Sequence, residues 1–371
     1  MINLFNKAEA IFGNTKSDSY PISSCDDNMK KVLATRKKIH DKSVQKIEFS
    51  RPIISRDSLG VIFPNTIAVV QGKKGVHKSR LSETLCVCLL HTNSSINQIG
   101  FTRELLKPAM LLYVDTERNQ NDQLPWAMQQ IRKKSGYPIN QNPEHFDFIS
   151  LVDISRNNRF ETLKKYIELK QKEFPDFQFV IVLDVVTDCI ENFNDPRESL
   201  KLIDLMNELI NQNDVTFICV IHENPSGEKA RGHLGTEIIN KASQVIQIAF
   251  DGEAKDLIML KFLHSRNTRQ IDSVYLRYDD EVKGLVEANA DLIKQTKIGK
   301  QEKAPLDKVE VWIKNSLVGE VSREVLLNDL KKHFNCGEKT IDDRLKTLLE
   351  DDFLDKSHKK GKVYYSLKIN F

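Results

Sequence analysis

The chain has 371 residues, 40% of them hydrophobic and 29% charged, with a formal net charge of +3. This length suggests two or three domains, and the composition is that of an ordinary globular protein with material for a large core. So small a net charge excludes a chain-wide electrostatic footprint for nucleic acid, so any such surface must be local. Six cysteines occur (Cys25, Cys86, Cys88, Cys189, Cys219 and Cys336) with no C-x-x-C spacing. Buried, reduced thiols are expected rather than a metal site or disulfides, which fits a cytoplasmic location. The N-terminus lacks a basic-then-apolar signal, and no apolar stretch approaches the roughly 18 residues of a membrane span.

Residues 1–50 are polar and poor in strand signals, and read as a helical or partly flexible lead-in. From 51 to 292 apolar runs alternate with amphipathic patterns. The runs are "TIAVV", "AMLLYVD", "FDFISLVD", "FQFVIVLD" and "VTFICVIH". Such runs suit strands covered on both faces, so the expected class is α/β, a mostly parallel sheet with helices on both faces. The clearest helix is "SLKLIDLMNELINQ", with Leu202, Leu205, Met206 and Leu209 on one side. A lysine-rich connector, 293–304, precedes a small unit over 305–371.

After "TIAVV" comes "QGKKGVHKSRLSETLCVCLL". The segment Gly72, Lys73, Lys74, Gly75, Val76, His77, Lys78, Ser79, Arg80 nearly matches G-x-x-x-x-G-K-[ST], the loop whose amides and helix N-terminus hold phosphate. His77 stands where the second glycine belongs. Strand, glycine loop and helix follow in the required order, the helix having Leu81, Leu85, Cys88 and Leu89 on one face. Lys78 would reach the terminal phosphates, and Ser79 would bind magnesium. The alternative is a plain strand-to-helix turn with an exposed lysine. "FQFVIVLD" delivers Asp184 to a strand end, where a carboxylate can order magnesium and its waters. "AMLLYVDTE" ends in Asp115, Thr116 and Glu117. Glu117 could deprotonate an attacking water, although a helix N-cap also uses such residues.

In order and spacing these segments resemble RecA-type recombinases and hexameric helicases, and most of all the RepA-type plasmid ATPases. "YVDTE" resembles their catalytic-glutamate strand and "IVLDVV" their Walker B strand. "VIHENPSGEKARGHLGTEIINKASQVIQI" resembles the stretch after it, and "LIMLKFLHSRN" a K-x-R-N strand with His264 in place of the lysine. The resemblance covers about residues 60–285. It implies a RecA-like fold with ATP and Mg2+ as cofactors, Glu117 as base and Asp184 as the magnesium partner. It further implies that His222 senses the γ-phosphate and that the loop 223–236 touches single-stranded DNA. Arg266 would act across a subunit boundary as an arginine finger, in a homo-oligomer of the kind that is hexameric in the helicases. His77 and the missing glycines after Asn267 depart from the pattern.

In 305–371, "PLDKVEVWIKNSL" places Val309, Ile313 and Leu317 together, and "SREVLLNDLKKHF" has Ser322 as a candidate N-cap. "CGEKTIDDRLKTLLEDDFL" turns at Gly337 and points Ile341, Leu345 and Leu348 inward. Two strands with a basic tip follow. Three helices and a hairpin resemble a winged helix-turn-helix. Its third helix would offer Lys339, Thr340, Arg344 and Thr347 to duplex DNA. Its wing would set Lys359, Lys360 and Lys362, with Lys356 and His358, on phosphates. Protein contact is the alternative use. The combined expectation is a DNA-acting ATPase of a plasmid or other mobile element, in replication or mobilization. The alternative is a non-enzymatic DNA-binding regulator or helicase-loading adaptor with a degenerate nucleotide site.

Overall fold

The computed structural model describes residues 27–91, 98–104, 107–251, 256–293, 304–359 and 361–368. Cys25, Lys360 and most of the 293–304 connector lie outside them. The chain forms two compact units, Met1–Ser50 and Arg51–Phe371. In the first, helix α1 (Asp27–Ser43) begins with an Asp27–Lys30 ion pair and buries none of its residues. Among the described residues no helix is long and apolar enough to cross a membrane.

The second unit is α/β. It opens with a small antiparallel sheet of β1 (Ile54–Arg56), β2 (Leu59–Ile62) and β4 (Phe101–Arg103), for which the sequence showed no signal. The main sheet has nine strands. These are β3 (Ile67–Gly72), β5 (Ala109–Asp115), β6 (Phe146–Ser150), β7 (Gln178–Asp184), β8 (Val215–His222), β9 (Gln244–Phe250), β10 (Ile258–Ser265), β11 (Val274–Asp279) and β12 (Gly284–Glu287). Their order is β12-β11-β10-β9-β3-β8-β7-β5-β6. From β6 to β9 every neighbouring pair is parallel, and β10–β12 add an antiparallel flank.

The apolar runs form strands because both faces are covered. In β3, Ala68 and Val70 join one core cluster while Ile67 and Val69 join another, and β5, β7 and β8 split the same way. Helices α2 (Lys78–Leu90) and α3 (Gln123–Lys134) cover one face. Helices α4 (Arg156–Glu173), α5 (Pro196–Asn213) and α6 (Gly232–Lys241) cover the other. Helix α2 is buried nearly all round, which is why its expected one-sided stripe extends to Cys86, Val87 and Leu90. Helix α5 starts one turn early, at an Asp195 cap that accepts from the Arg197 and Glu198 amides and is followed by Pro196. Strand β6 is shorter than its apolar run. It lies at the sheet edge and ends at Ser150, and the chain turns through Leu151–Asp153.

Register sets the site. Gly72 lies beside His222, and Asp184 lies between Val220 and Asp115. Four strand ends therefore share one carboxyl edge. There the next strand of this sheet in sequence after β3 is β5, with β8 and β7 between them, so the outgoing chains part and leave a crevice.

Residues 304–367 build a separate apolar cluster. It contains α7 (Leu306–Ser316), α8 (Arg323–Phe334), α9 (Glu338–Glu350) and an antiparallel sheet of β13 (Val321–Ser322), β15 (Lys362–Leu367) and β14 (Leu354–Lys359). Ser322 caps α8 and Gly337 precedes α9. Five free cysteines are described, four of them buried.

Two leucines of α5 test the core assignment. Leu209 is fully buried and Leu200 is 47% exposed. Leu209→Ala is expected to cost about 2–5 kcal/mol in denaturant unfolding, and Leu200→Ala about 0.5 kcal/mol or less.

Candidate active site

The loop between β3 and α2 is shaped by Gly72, Gly75 and His77. A Cβ on Gly72 would sit 2.4 Å from the Ile248 carbonyl oxygen, so only glycine fits there. Gly75 has φ +82°. His77 has φ 67° and ψ 27°, a left-handed conformation. Histidine is among the few side chains that enter this region at modest cost, so the glycine-to-histidine departure is compatible with the loop's path. The ring turns away from the loop. It stacks on Tyr278 at 5.0 Å and 13°, and meets the edge of Phe250 at 6.0 Å. Burial, and to a lesser degree Arg80, push its pKa below the usual histidine value. The ring is engaged by these two aromatic neighbours while the residue also lines the cleft.

Helix α2 then starts at Lys78 with no side-chain cap and no acid in its first turn. Its free first-turn amides and dipole make an anion site. Lys78 is 6% exposed, and its Nζ donates to the Lys73 carbonyl at 2.7 Å. Burial lowers its pKa, while Asp184, Glu117 and Glu223 oppose that shift. Asp184 is buried, and its Oδ2 accepts the Tyr113 hydroxyl at 2.7 Å and faces Arg118 Nη2 at 3.3 Å. Burial raises the Asp184 pKa, with Arg118 opposing first and a hydrogen bond from Ser79 also lowering it.

Thr116 ties the ends of β5 and β7 together. Its amide donates to the Asp184 carbonyl, and its hydroxyl accepts the Val185 amide at 2.7 Å. That latch presents Glu117 to the cleft, its side chain 46% exposed and Oε1 3.4 Å from His222 Nε2. The His222 contact, ahead of all other influences, holds the Glu117 carboxyl below its usual pKa, so it is ionised near neutrality. His222 leads directly into a closed loop. The Glu223 amide bonds the Gly72 carbonyl, and Glu223 bridges to Ala230. The Glu223 carboxylate is buried and accepts from Gln71 and Gln247. This loop is short and pinned at its root.

Lys78, Ser79, Glu117, Asp184 and His222 line one cleft of about 1600 Å³. Its mouth carries the exposed Lys73 and Lys74, with Arg80 stacked over Trp126 at 4.4 Å. The donor set suits a phosphate-bound divalent cation rather than a bare metal. It has one serine hydroxyl and one aspartate in the same cleft beside a helix N-terminus, and no cluster of three or more His, Cys, Asp or Glu ligands exists among the described residues. Arg266 lies elsewhere in the chain. It is exposed, donates to the Asn240 carbonyl, and borders a separate depression with Gln71 and Thr236. Sequence reading passed over Arg118, Tyr113 and Glu83. Arg118 adjoins Glu117 in sequence, but only the fold supplies its partners.

Around the C-terminal cluster Lys339, Lys356, His358 and Lys362 are exposed, and Thr340 and Thr347 half-buried. Arg344 does not stand free on the third helix, because its Nε donates to the Ala304 carbonyl at 2.9 Å. Lys359 pairs with Glu320. Lys360 is outside the described residues.

The His77 geometry sets two opposing effects. A left-handed non-glycine residue costs about 1–2 kcal/mol, and an aromatic stack returns about 0.5–1.5 kcal/mol. His77→Gly is therefore expected to change unfolding stability by less than about 1 kcal/mol, and His77→Ala, which keeps the strain and loses the ring, to cost about 0.5–1.5 kcal/mol. Because the folded pKa lies below the unfolded value of about 6.5, the His77 contribution is full above that pH and fades as pH falls. Acidification from pH 7.5 to 5.5 should cost the wild type more stability than His77→Gln. Equal losses in the two would contradict the buried neutral ring.

No family model matches the chain, and no curated protein matches it. Among solved structures it is similar to the RadB recombinase, with a TM-score of 0.42 and 14% identity over 61% of this chain and 92% of that one.

Proposed function

We propose that this chain is a RecA-type ATPase that acts on DNA, in replication or mobilization of a plasmid or other mobile element. The observation that carries the ATPase reading is the meeting of Lys78, Ser79, Glu117, Asp184 and His222 in one cleft, although they come from four separate segments. The α2 amides and Lys78 bind the phosphates and take up the charge that develops on them. Ser79 and Asp184 would hold Mg2+, which when bound would supply charge neutralisation to the phosphates. Glu117, ionised by its His222 contact, accepts the proton of the attacking water in line with the leaving group. When Glu117 and the γ-phosphate compete for His222, the loop rooted at Glu223 is displaced, and this couples the nucleotide state to the DNA-binding segment 223–236. Arg266, remote from its own chain's cleft, completes the site of a neighbouring copy, so the active form is a homo-oligomer.

The C-terminal unit is the duplex-binding module on this reading, through Lys339 and the wing lysines. The Arg344–Ala304 bond and the Lys359–Glu320 pair withdraw two of the expected contacts, and this favours protein contact as its second use.

Glu117→Gln is expected to retain nucleotide binding and lose turnover by roughly 100-fold or more, measured by phosphate release and calorimetry. Mixed with Arg266→Ala, it should recover part of the activity through hybrid boundaries. Normal turnover by Glu117→Gln would reject the assignment.

Changing Lys356 and Lys362 to Ala in the full chain is expected to weaken duplex binding. It should also reduce the slope of log K against log salt by about one to two, as fewer counterions are released. An unchanged slope would leave the unit as a protein-contact module.

A further inference from the structure

Arg118 follows Glu117 directly, yet its side chain is only 17% exposed. Its guanidinium reaches three elements. Nη1 lies 2.9 Å from Glu83 Oε1 on α2, and Nη2 is 2.6 Å from the Tyr113 hydroxyl and 3.3 Å from Asp184 Oδ2. Nε donates to Asp115 Oδ2 at 2.5 Å. The other Asp115 oxygen accepts the Glu117 and Arg118 amides, at 3.1 and 2.7 Å. Asp115 thus folds the turn that presents Glu117, and Arg118 holds Asp115. Three buried carboxylates, Glu83, Asp115 and Asp184, converge here. Arg118 touches all three, and Arg80 adds a second cation at Glu83, 2.6 Å away. Buried carboxylates stay ionised only with such partners.

We propose that Arg118 is the positioning residue of the cleft, with two separable effects. Through Asp115 it fixes the backbone that aims Glu117. Through Tyr113 and Asp184 it sets the direction of the metal-side carboxylate and offsets its charge, and so limits how strongly Ser79 and Asp184 attract a divalent cation. This rests on the ATPase reading above. The fork of the guanidinium supplies the first effect and its positive charge the second. Lysine keeps the charge but lacks the planar fork. Methionine keeps neither.

The test compares Arg118→Lys and Arg118→Met in the full chain. Arg118→Lys should lower kcat at least 10-fold while the half-saturating Mg2+ concentration stays within 2-fold. Arg118→Met should lower kcat further and reduce half-saturating Mg2+ about 3-fold or more, because Asp184 loses its nearest cation. A role confined to folding would instead weaken Mg2+ and nucleotide together. That result, or wild-type kcat in either variant, overturns the proposal. If Arg118→Met fails to fold, Arg118→Met with Glu83→Gln removes one buried negative charge along with the positive one and serves in its place. A readout without ligand separates this proposal from the ATPase reading. Amide hydrogen exchange at Glu117 and Arg118 in the nucleotide-free protein should speed up at least 10-fold in Arg118→Lys. Unchanged exchange overturns the positioning role whatever the protein hydrolyses. Accelerated exchange in a protein that binds no nucleotide upholds the positioning role and rejects the ATPase reading alone.

Discussion

The parallel register of β3, β8, β7 and β5 is the constraint from which the rest of the cleft follows. It sets Gly72 beside His222 and Asp184 between Val220 and Asp115. Side chains alternate faces along a strand, so a slip of one residue in β7 would carry Asp184 from the side of α2 to the opposite face. The same slip would swap Val180 and Val182 with Phe179, Ile181 and Leu183 between the two core clusters, into packing shaped for other side chains. Burial on both faces therefore locks the register, and the register aligns the chemistry.

Charge in the cleft is layered. Its mouth is cationic, with exposed Lys73 and Lys74 and the uncapped amides of α2 behind them. Its floor is anionic, with Asp184 and Glu83 bridged by Arg118, whose guanidinium also holds the buried Asp115. Lys78 lies between, desolvated and pulled towards both Asp184 and Glu117. An anion bound at the mouth and a cation held between it and the floor would each satisfy one layer. On the proposed ATPase reading, a phosphate carrying a divalent ion would meet both demands at once.

The path from cleft to loop is short. His222 contacts Glu117 on one side, and on the other its neighbour Glu223 is bonded to the β3 end and to two buried glutamines. A displacement at His222 therefore meets a pinned root rather than a slack connection. The tip, Asn224–Lys229, is closed by a backbone bond between its ends, and Glu228 within it is tied back to Gln71 and to Lys261.

Much of this was legible in the sequence. Five strands announced themselves because strands covered on both faces must be apolar along their whole length, and α5 because one of its sides faces a core. Lys78, Ser79, Asp184 and Glu117 were legible as types of residue at strand and helix ends. What the sequence left open was decided by contacts between distant segments. The direction of the His77 ring depends on Tyr278, some 200 residues away. Arg118 reads as an ordinary charged loop residue until the fold brings Glu83, Tyr113 and Asp184 around it. Helical spacing puts Arg344 on an outer face, but the Ala304 carbonyl, at the end of the connector, takes up its guanidinium. Local pattern determines which elements form and what they carry at their ends. Only tertiary structure decides which of those ends meet, because a hydrogen bond or ion pair depends on ångström-scale distances that no spacing along the chain encodes.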